Sequence, residues 1–104
     1  RALLKTRPPS ALFAGNDQMA LGAYRALFEA GVRIPEDVSV VGCDNIDEAG
    51  SFSPPLTTML MDWDLIGRQA LQVALGMLDD PTPTILTTPS TLIVRASTAP
   101  PPAR

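Results

Sequence analysis

The sequence predicts an α/β fold, part of a doubly wound parallel sheet, and three observations carry that expectation. Two short apolar runs, Ala11–Ala14 and Val38–Cys43, lack clean alternation, as do parallel strands covered on both faces. Between them lies a segment of helical period, so strand, helix and strand make a right-handed βαβ unit. Both runs also end alike, Gly15 leading into Asn16-Asp17 and Gly42-Cys43 into Asp44-Asn45. On neighbouring parallel strands these polar tips lie side by side at the carboxyl edge of the sheet, where doubly wound folds bind ligands.

Arg1–Arg7 reads as the last turn of a helix, stopped by Pro8-Pro9 before the first strand. Asn16 or Asp17 can cap the next helix, Gly31 suits the left-handed position past its end, and Pro35 prevents continuation. On a wheel of roughly 100° per residue, Ala20, Ala23, Leu27 and Ala30 form a small-residue face suited to close packing on a sheet. Leu21, Tyr24 and Phe28 form a second apolar stripe, wider than one sheet needs. Either a neighbouring element of the same domain covers that stripe, or it is a subunit interface.

Val38–Cys43 belongs in the centre of the sheet. Asp47–Ser53 reads as a loop or short helix closed by Pro54-Pro55, and Leu56–Met61 as a third strand. Asp62 or Asp64 caps a second long helix, with Asp79-Asp80-Pro81 near its end. Its Ile66, Ala70, Val73 and Met77 share one face, flanked by Trp63, Ala74 and Leu78, and that face wants a partner surface. Thr84–Thr88 and Thr91–Arg95 read as two extended pieces around Pro89, and residues 99–104 as a loose tail.

At 104 residues, 45% hydrophobic and 18% charged, the chain suits one globular domain or a piece of a larger one. A formal charge of -3, with no block of Lys or Arg, excludes this segment from tracking a phosphate backbone. The single cysteine, Cys43, cannot form an internal disulfide, and its neighbours suggest an unreactive apolar site in a reducing cytoplasm. No apolar stretch follows the basic start as a signal peptide requires, and Arg68, Gln69 and Gln72 interrupt the run from Leu65 to Leu78. A membrane span needs ~20 apolar residues.

Histidine is absent, which removes His-based nucleophilic catalysis and the commonest zinc ligand. Asp44, Asp47 and Glu48 offer hard oxygen ligands, but an acidic loop after a strand is more often solvated, so no metal or other cofactor is expected. Asp62 and Asp64 are explained by capping. Asn16 and Asp44 converge: a carboxylate accepts from two adjacent hydroxyls and an amide both donates and accepts, which suits a polyhydroxylated or purine-like ligand. Trp63 can supply an apolar wall for a ring. On spacing alone, the bland alternative of a cap, a turn residue and core packing stays open beside the ligand site.

Taken as an ordered set, four segments resemble the lac and gal repressor (LacI/GalR) family of bacterial transcription regulators, across nearly the whole chain. They are Phe13-Ala14-Gly15-Asn16-Asp17-Gln18-Met19-Ala20-Leu21-Gly22, Val32-Arg33-Ile34-Pro35-Glu36-Asp37-Val38-Ser39-Val40-Val41-Gly42, Pro54-Pro55-Leu56-Thr57-Thr58 and Val94-Arg95-Ala96-Ser97-Thr98. The resemblance implies a type I periplasmic-binding-protein-like fold of two α/β subdomains, with an effector in the cleft between them and an N-terminal helix-turn-helix ahead. Residues 1–104 would be the carboxyl-terminal portion of that effector domain. Within it, 8–61 would be the subdomain core, 62–80 a helix docking on the amino-terminal subdomain, 84–98 return strands and 99–104 a tail.

The same resemblance implies that Asn16 and Asp44 contact the effector, a carbohydrate or nucleobase, with Trp63 lining the cleft. Leu21, Tyr24 and Phe52 would contribute to a homodimer or homotetramer, and operator DNA would be bound only through the N-terminal domain. No catalysis and no membrane are implied, and the location would be cytoplasmic. Cys43 replaces a usual aromatic, Asn45 stands where a second Asp is common and Ala96 where Glu is, so the effector cannot be copied from a relative. Asp17 and Asn45 are left as cap and turn residues. The alternative is a periplasmic sugar-binding protein of a transport system, which shares the fold and cleft.

Overall fold

The computed structural model describes residues 8–83 and 85–103, so the helical turn expected over residues 1–7 lies outside the described residues. In chain order come β1 (Ala11–Phe13), α1 (Asp17–Glu29), β2 (Ser39–Cys43), a 3-10 helix (Asp47–Ser51), β3 (Thr57–Met61), α2 (Trp63–Gly76) and β4 (Ser90–Ile93). The sheet has the order β1-β2-β3-β4. β1 and β2 pair in parallel with Leu12 opposite Val40, and β2 and β3 in parallel with Gly42 opposite Thr58. The expected parallel α/β architecture with β2 inside the sheet is thus present. The chain divides into two compact units, the described residues of Arg1–Leu60 with Leu92–Arg104, and Met61–Thr91.

In the first unit α1 is delimited by its own sequence. Asn16 is the N-cap, its side-chain oxygen accepting from the Met19 N–H at 2.8 Å. At the other end Gly31, with φ 70°, takes the left-handed conformation that costs a residue without Cβ little. Val32 N–H then donates to the Leu27 carbonyl (2.9 Å) and Gly31 N–H to that of Phe28 (3.1 Å), a Schellman closure that satisfies two orphan carbonyls.

The helix buries Asp17, Ala20, Tyr24 and Leu27 against Val38, Val40, Ala49, Phe52 and Leu56. Ala30, assigned to the small-residue face, is instead the exposed C-cap. The second stripe splits. Tyr24 packs edge-on against Phe52 (centroids 5.4 Å apart) and donates its hydroxyl to the Pro54 carbonyl at 2.8 Å, so a neighbouring element of the same chain covers it. Leu21 and Phe28 stay exposed.

Two-sided burial of β1 is not met: Leu12 packs on the core while Phe13 is 66% exposed. The reason is period two, which puts alternate residues on opposite faces, and α1 covers one face. The return segment also departs from expectation. Only one of the two extended pieces forms a strand, β4, and among the described residues of 84–88 there is none. Beyond β4 the chain is wedged at the amino ends of β2 and β3. Ser97, fully buried, accepts the Val40 N–H on its carbonyl (2.9 Å) and the Thr57 N–H on its hydroxyl (2.8 Å), and donates that hydroxyl to the Val40 carbonyl (2.6 Å). The tail is anchored at its first residue, where Ala99 N–H donates to the Ser39 hydroxyl at 3.0 Å.

In the second unit α2 is capped by Asp62, which accepts from Leu65 N–H at 2.9 Å. The helix buries none of its residues. Ile66, Val73 and Met77 line a shallow groove of about 510 Å³ together with Leu86 and Thr88. No helix among the described residues is long and apolar enough to cross a membrane.

Candidate ligand site

The two polar strand ends do lie side by side. β1 and β2 are adjacent and parallel, and the Asp17 carboxylate, one residue past Asn16, accepts the Ile46 N–H (2.9 Å), two residues past Asp44. Its other oxygen accepts the Thr58 hydroxyl at 2.6 Å. Asp17 is therefore more than a cap residue: fully buried, it ties α1, the loop after β2 and β3 together at the carboxyl edge of the sheet. Its room comes from Gly42, where an added Cβ would collide with the Asp17 carboxylate and lie 2.9 Å from Leu56. A glycine inside a strand marks such a close approach, and that was the sequence signal for this missed residue.

The loop that follows is conformationally costly. Asp44 has φ 118° and Asn45 φ 52°, both in the region where side chains other than glycine are disfavoured. Such backbone costs on the order of 1–3 kcal/mol and persists where surrounding bonds over-determine it. Here they do: Asp44 N–H donates to the Met59 carbonyl (2.9 Å), Asn45 N–H to the Thr58 hydroxyl (3.3 Å) and Ile46 N–H to Asp17. Asn45 is more than a turn residue as well, since its side-chain oxygen accepts from the Arg95 guanidinium at 2.7 Å.

The backbone N–H groups of residues 44–46 and the Asn45 side-chain oxygen are thus engaged, whereas the half-buried Asp44 carboxylate has no hydrogen bond or ion pair with the described residues. Asn16 spends its oxygen on the Met19 N–H, and its amide NH₂ has no partner among the described residues. The edge therefore presents a carboxylate acceptor at Asp44 and an amide donor at Asn16, both on backbone fixed by neighbours. Burial, reinforced by the charges of Asp44 and Asp17, pushes the half-buried Cys43 thiol up, so it stays protonated at neutral pH. Among the described residues no three His, Cys, Asp or Glu side chains are grouped as metal ligands would be, so Asp44, Asp47 and Glu48 are not brought together as such a set.

Trp63 opens α2 in the second unit and is 57% exposed. Of the three proposed interface residues, Tyr24 and Phe52 lie in the core of the first unit and Leu21 is 53% exposed. Leu21 lines, with Arg25, Phe28, Ile34 and Pro54, an open groove of about 940 Å³ along α1. That groove flanks the helix body and its carboxyl end, whereas Asn16 caps the amino end.

A parallel sheet with polar groups at its carboxyl edge belongs to the doubly wound α/β class, whose members bind ligands at that edge. Comparison with known proteins makes the class specific. Residues 1–98 match the model of the periplasmic binding protein-like domain, and the chain belongs to that family as part of an effector-binding domain of the LacI type.

The ribose operon repressor of Escherichia coli (strain K12) is 42% identical over 74 residues, covering 71% of this chain and 22% of that protein. The HTH-type transcriptional repressor PurR of Vibrio atlanticus is 49% identical over 72 residues, covering 69% and 22%. A LacI family transcriptional regulator from Enterococcus faecalis V583, solved with bound ribose, superposes with a TM-score of 0.75 at 42% identity, covering 95% of this chain and 38% of that one. The lac repressor dimer bound to operator and the anti-inducer ONPF gives a TM-score of 0.79 at 35% identity, covering 93% and 35%. The chain thus spans about a fifth of the length of the curated relatives it matches.

Proposed function

We propose that this chain is the effector-binding and dimerising portion of a transcription regulator, and that its effector is a small polyhydroxylated molecule, with ribose the first candidate to test. The observation that carries the reading is the Asp44 carboxylate, unpartnered among the described residues on a strained but firmly tied turn beside Asn16. A carboxylate so held can accept from two adjacent sugar hydroxyls, while the Asn16 amide donates to a third oxygen. A nucleobase offers comparable acceptors and donors.

The repressors and regulators named above favour a regulator over a secreted transport protein, and two of the solved LacI-type relatives hold ribose. The role is binding, not catalysis, and the location cytoplasmic. Operator DNA would be bound outside this segment, with ligand shifting the populations of two subdomain arrangements. In the dimer, Leu21 with Phe28 would supply exposed apolar area, and the buried Tyr24 and Phe52 would support it from beneath. The α2 face around Val73 would dock on the other subdomain.

Isothermal titration of the full-length protein with D-ribose tests the site. Asp44→Ala removes two charge-assisted hydrogen bonds and is expected to weaken ribose about 100-fold, with operator binding still measurable. Unchanged ribose affinity would overturn the assignment.

A further inference from the structure

Asp44 cannot hold its own conformation, because the positive φ values at residues 44 and 45 place the turn in backbone territory that L side chains avoid. Three backbone N–H bonds tie the turn toward β3 and α1, and each ends on a neighbour of the strands themselves. The remaining tie comes from far along the sequence. Arg95 donates one guanidinium nitrogen to the Asn45 side-chain oxygen at 2.7 Å and the other to the Leu56 carbonyl at 2.8 Å, while its backbone N–H donates to the Thr57 hydroxyl at 3.0 Å. Its Nε also lies 3.8 Å from where a Cβ on Gly50 would stand, so the side chain runs beside the 3-10 helix.

The planar fork thus spans two segments, the turn after β2 and the entry to β3, and neither acceptor is a carboxylate. Both bonds are charge-assisted, which makes them about twice as strong as neutral ones. The segment that carries Arg95 is itself immobilised two residues on, where Ser97 is fully buried between β2 and β3.

We propose that Arg95 is a positioning residue for the ligand site: its guanidinium latches Asn45 to the entry of β3 and so fixes the backbone from which Asp44 meets the ligand. The affinity consequence rests on the ligand reading above, whereas the latch does not. The latch is specific to arginine, because a lysine ammonium cannot present two coplanar donors to both acceptors.

The test uses full-length protein with Arg95→Met, which removes both donors at similar bulk, and Asn45→Ala, which breaks the same bond from the other side and leaves Arg95 on Leu56. In ligand-free protein, each variant should speed amide exchange at Asn45 and Ile46 at least about 10-fold relative to Leu27 in α1. Titration with D-ribose should then show each variant weakened about 10-fold, and the double variant no weaker than Arg95→Met alone, since the bond that both changes break can be lost only once. Arg95→Lys should recover less than Asn45→Asp, which keeps an acceptor for the fork. Unchanged exchange at Asn45 and Ile46 in both variants would overturn the latch whatever ribose does, and so would additive losses. If exchange accelerates as stated but wild-type protein ignores ribose, the latch stands and the ribose reading falls.

Discussion

α1 and α2 are close to being the same helix in local terms. They run 13 and 14 residues, and each starts behind a side chain that accepts from the N–H three residues on, Asn16 at 2.8 Å and Asp62 at 2.9 Å. Each carries an exposed i,i+4 ion pair, Arg25 with Glu29 and Arg68 with Asp64. Such exposed pairs contribute at most about 1 kcal/mol each, and a cap typically contributes about 1 kcal/mol. What separates the two helices is burial: α1 buries Asp17, Ala20, Tyr24 and Leu27, and α2 buries nothing. Local signals decide where a helix starts, but short helices in water depend on packing of an apolar face for most of their stability.

The largest expected effect tests that contrast directly. In the 104-residue chain in dilute solution, amides of Ala20 and Leu27 should exchange about 1000-fold more slowly than those of Leu71 and Val73, because α2 opens locally while α1 opens with the core. Equal protection would break the comparison. Concentrating that chain should produce association through the uncovered α2 face, and a cooperative melt of a monodisperse monomer would contradict it.

A smaller effect sits at the ligand edge. Asp17→Ala strands the Ile46 N–H and the Thr58 hydroxyl in a buried site and should destabilise the first unit by about 3 kcal/mol in a denaturant melt. A loss below about 1 kcal/mol would mean the carboxylate is not the tie it is taken for.

The smallest effect compares the caps. Asn16→Ala should lower the global melting stability by about 1 kcal/mol, since α1 belongs to the cooperative core. Asp62→Ala should leave the global transition in place and only speed exchange in the first turn of α2. A matching global loss in both would show that α2 unfolds with the core.

Much of this was legible in the residues because it depends on near neighbours. Short apolar runs, helical period, caps and punctuation located β1, β2, β3, α1 and α2, and the repeated Gly-to-Asn-Asp and Gly-x-Asp-Asn endings placed Asn16 and Asp44 at one edge. The parts that stayed hidden join distant positions. Asp17 looks like a helix-start residue until Gly42 opens space for its carboxylate and Thr58 arrives 41 positions later to donate to it. Arg95 reads as one charged residue in a return strand, yet it is the partner of Asn45, 50 positions earlier. Leu21, Tyr24 and Phe28 form one stripe on the wheel, and only the approach of Phe52 and Pro54 divides it into core and surface.

Backbone conformation and helix starts are set by terms of about 1 kcal/mol between residues three or four apart, which a linear reading can find. Which polar side chains are consumed in the interior and which are left for a ligand follows from long-range contacts formed on folding. Asn16 and Asp44 could therefore be named as candidates from the chain, while the reason Asp44 keeps its carboxylate unspent among the described residues, with Asp17 spent inside, lies in the packing of β2, β3 and the segment around Arg95.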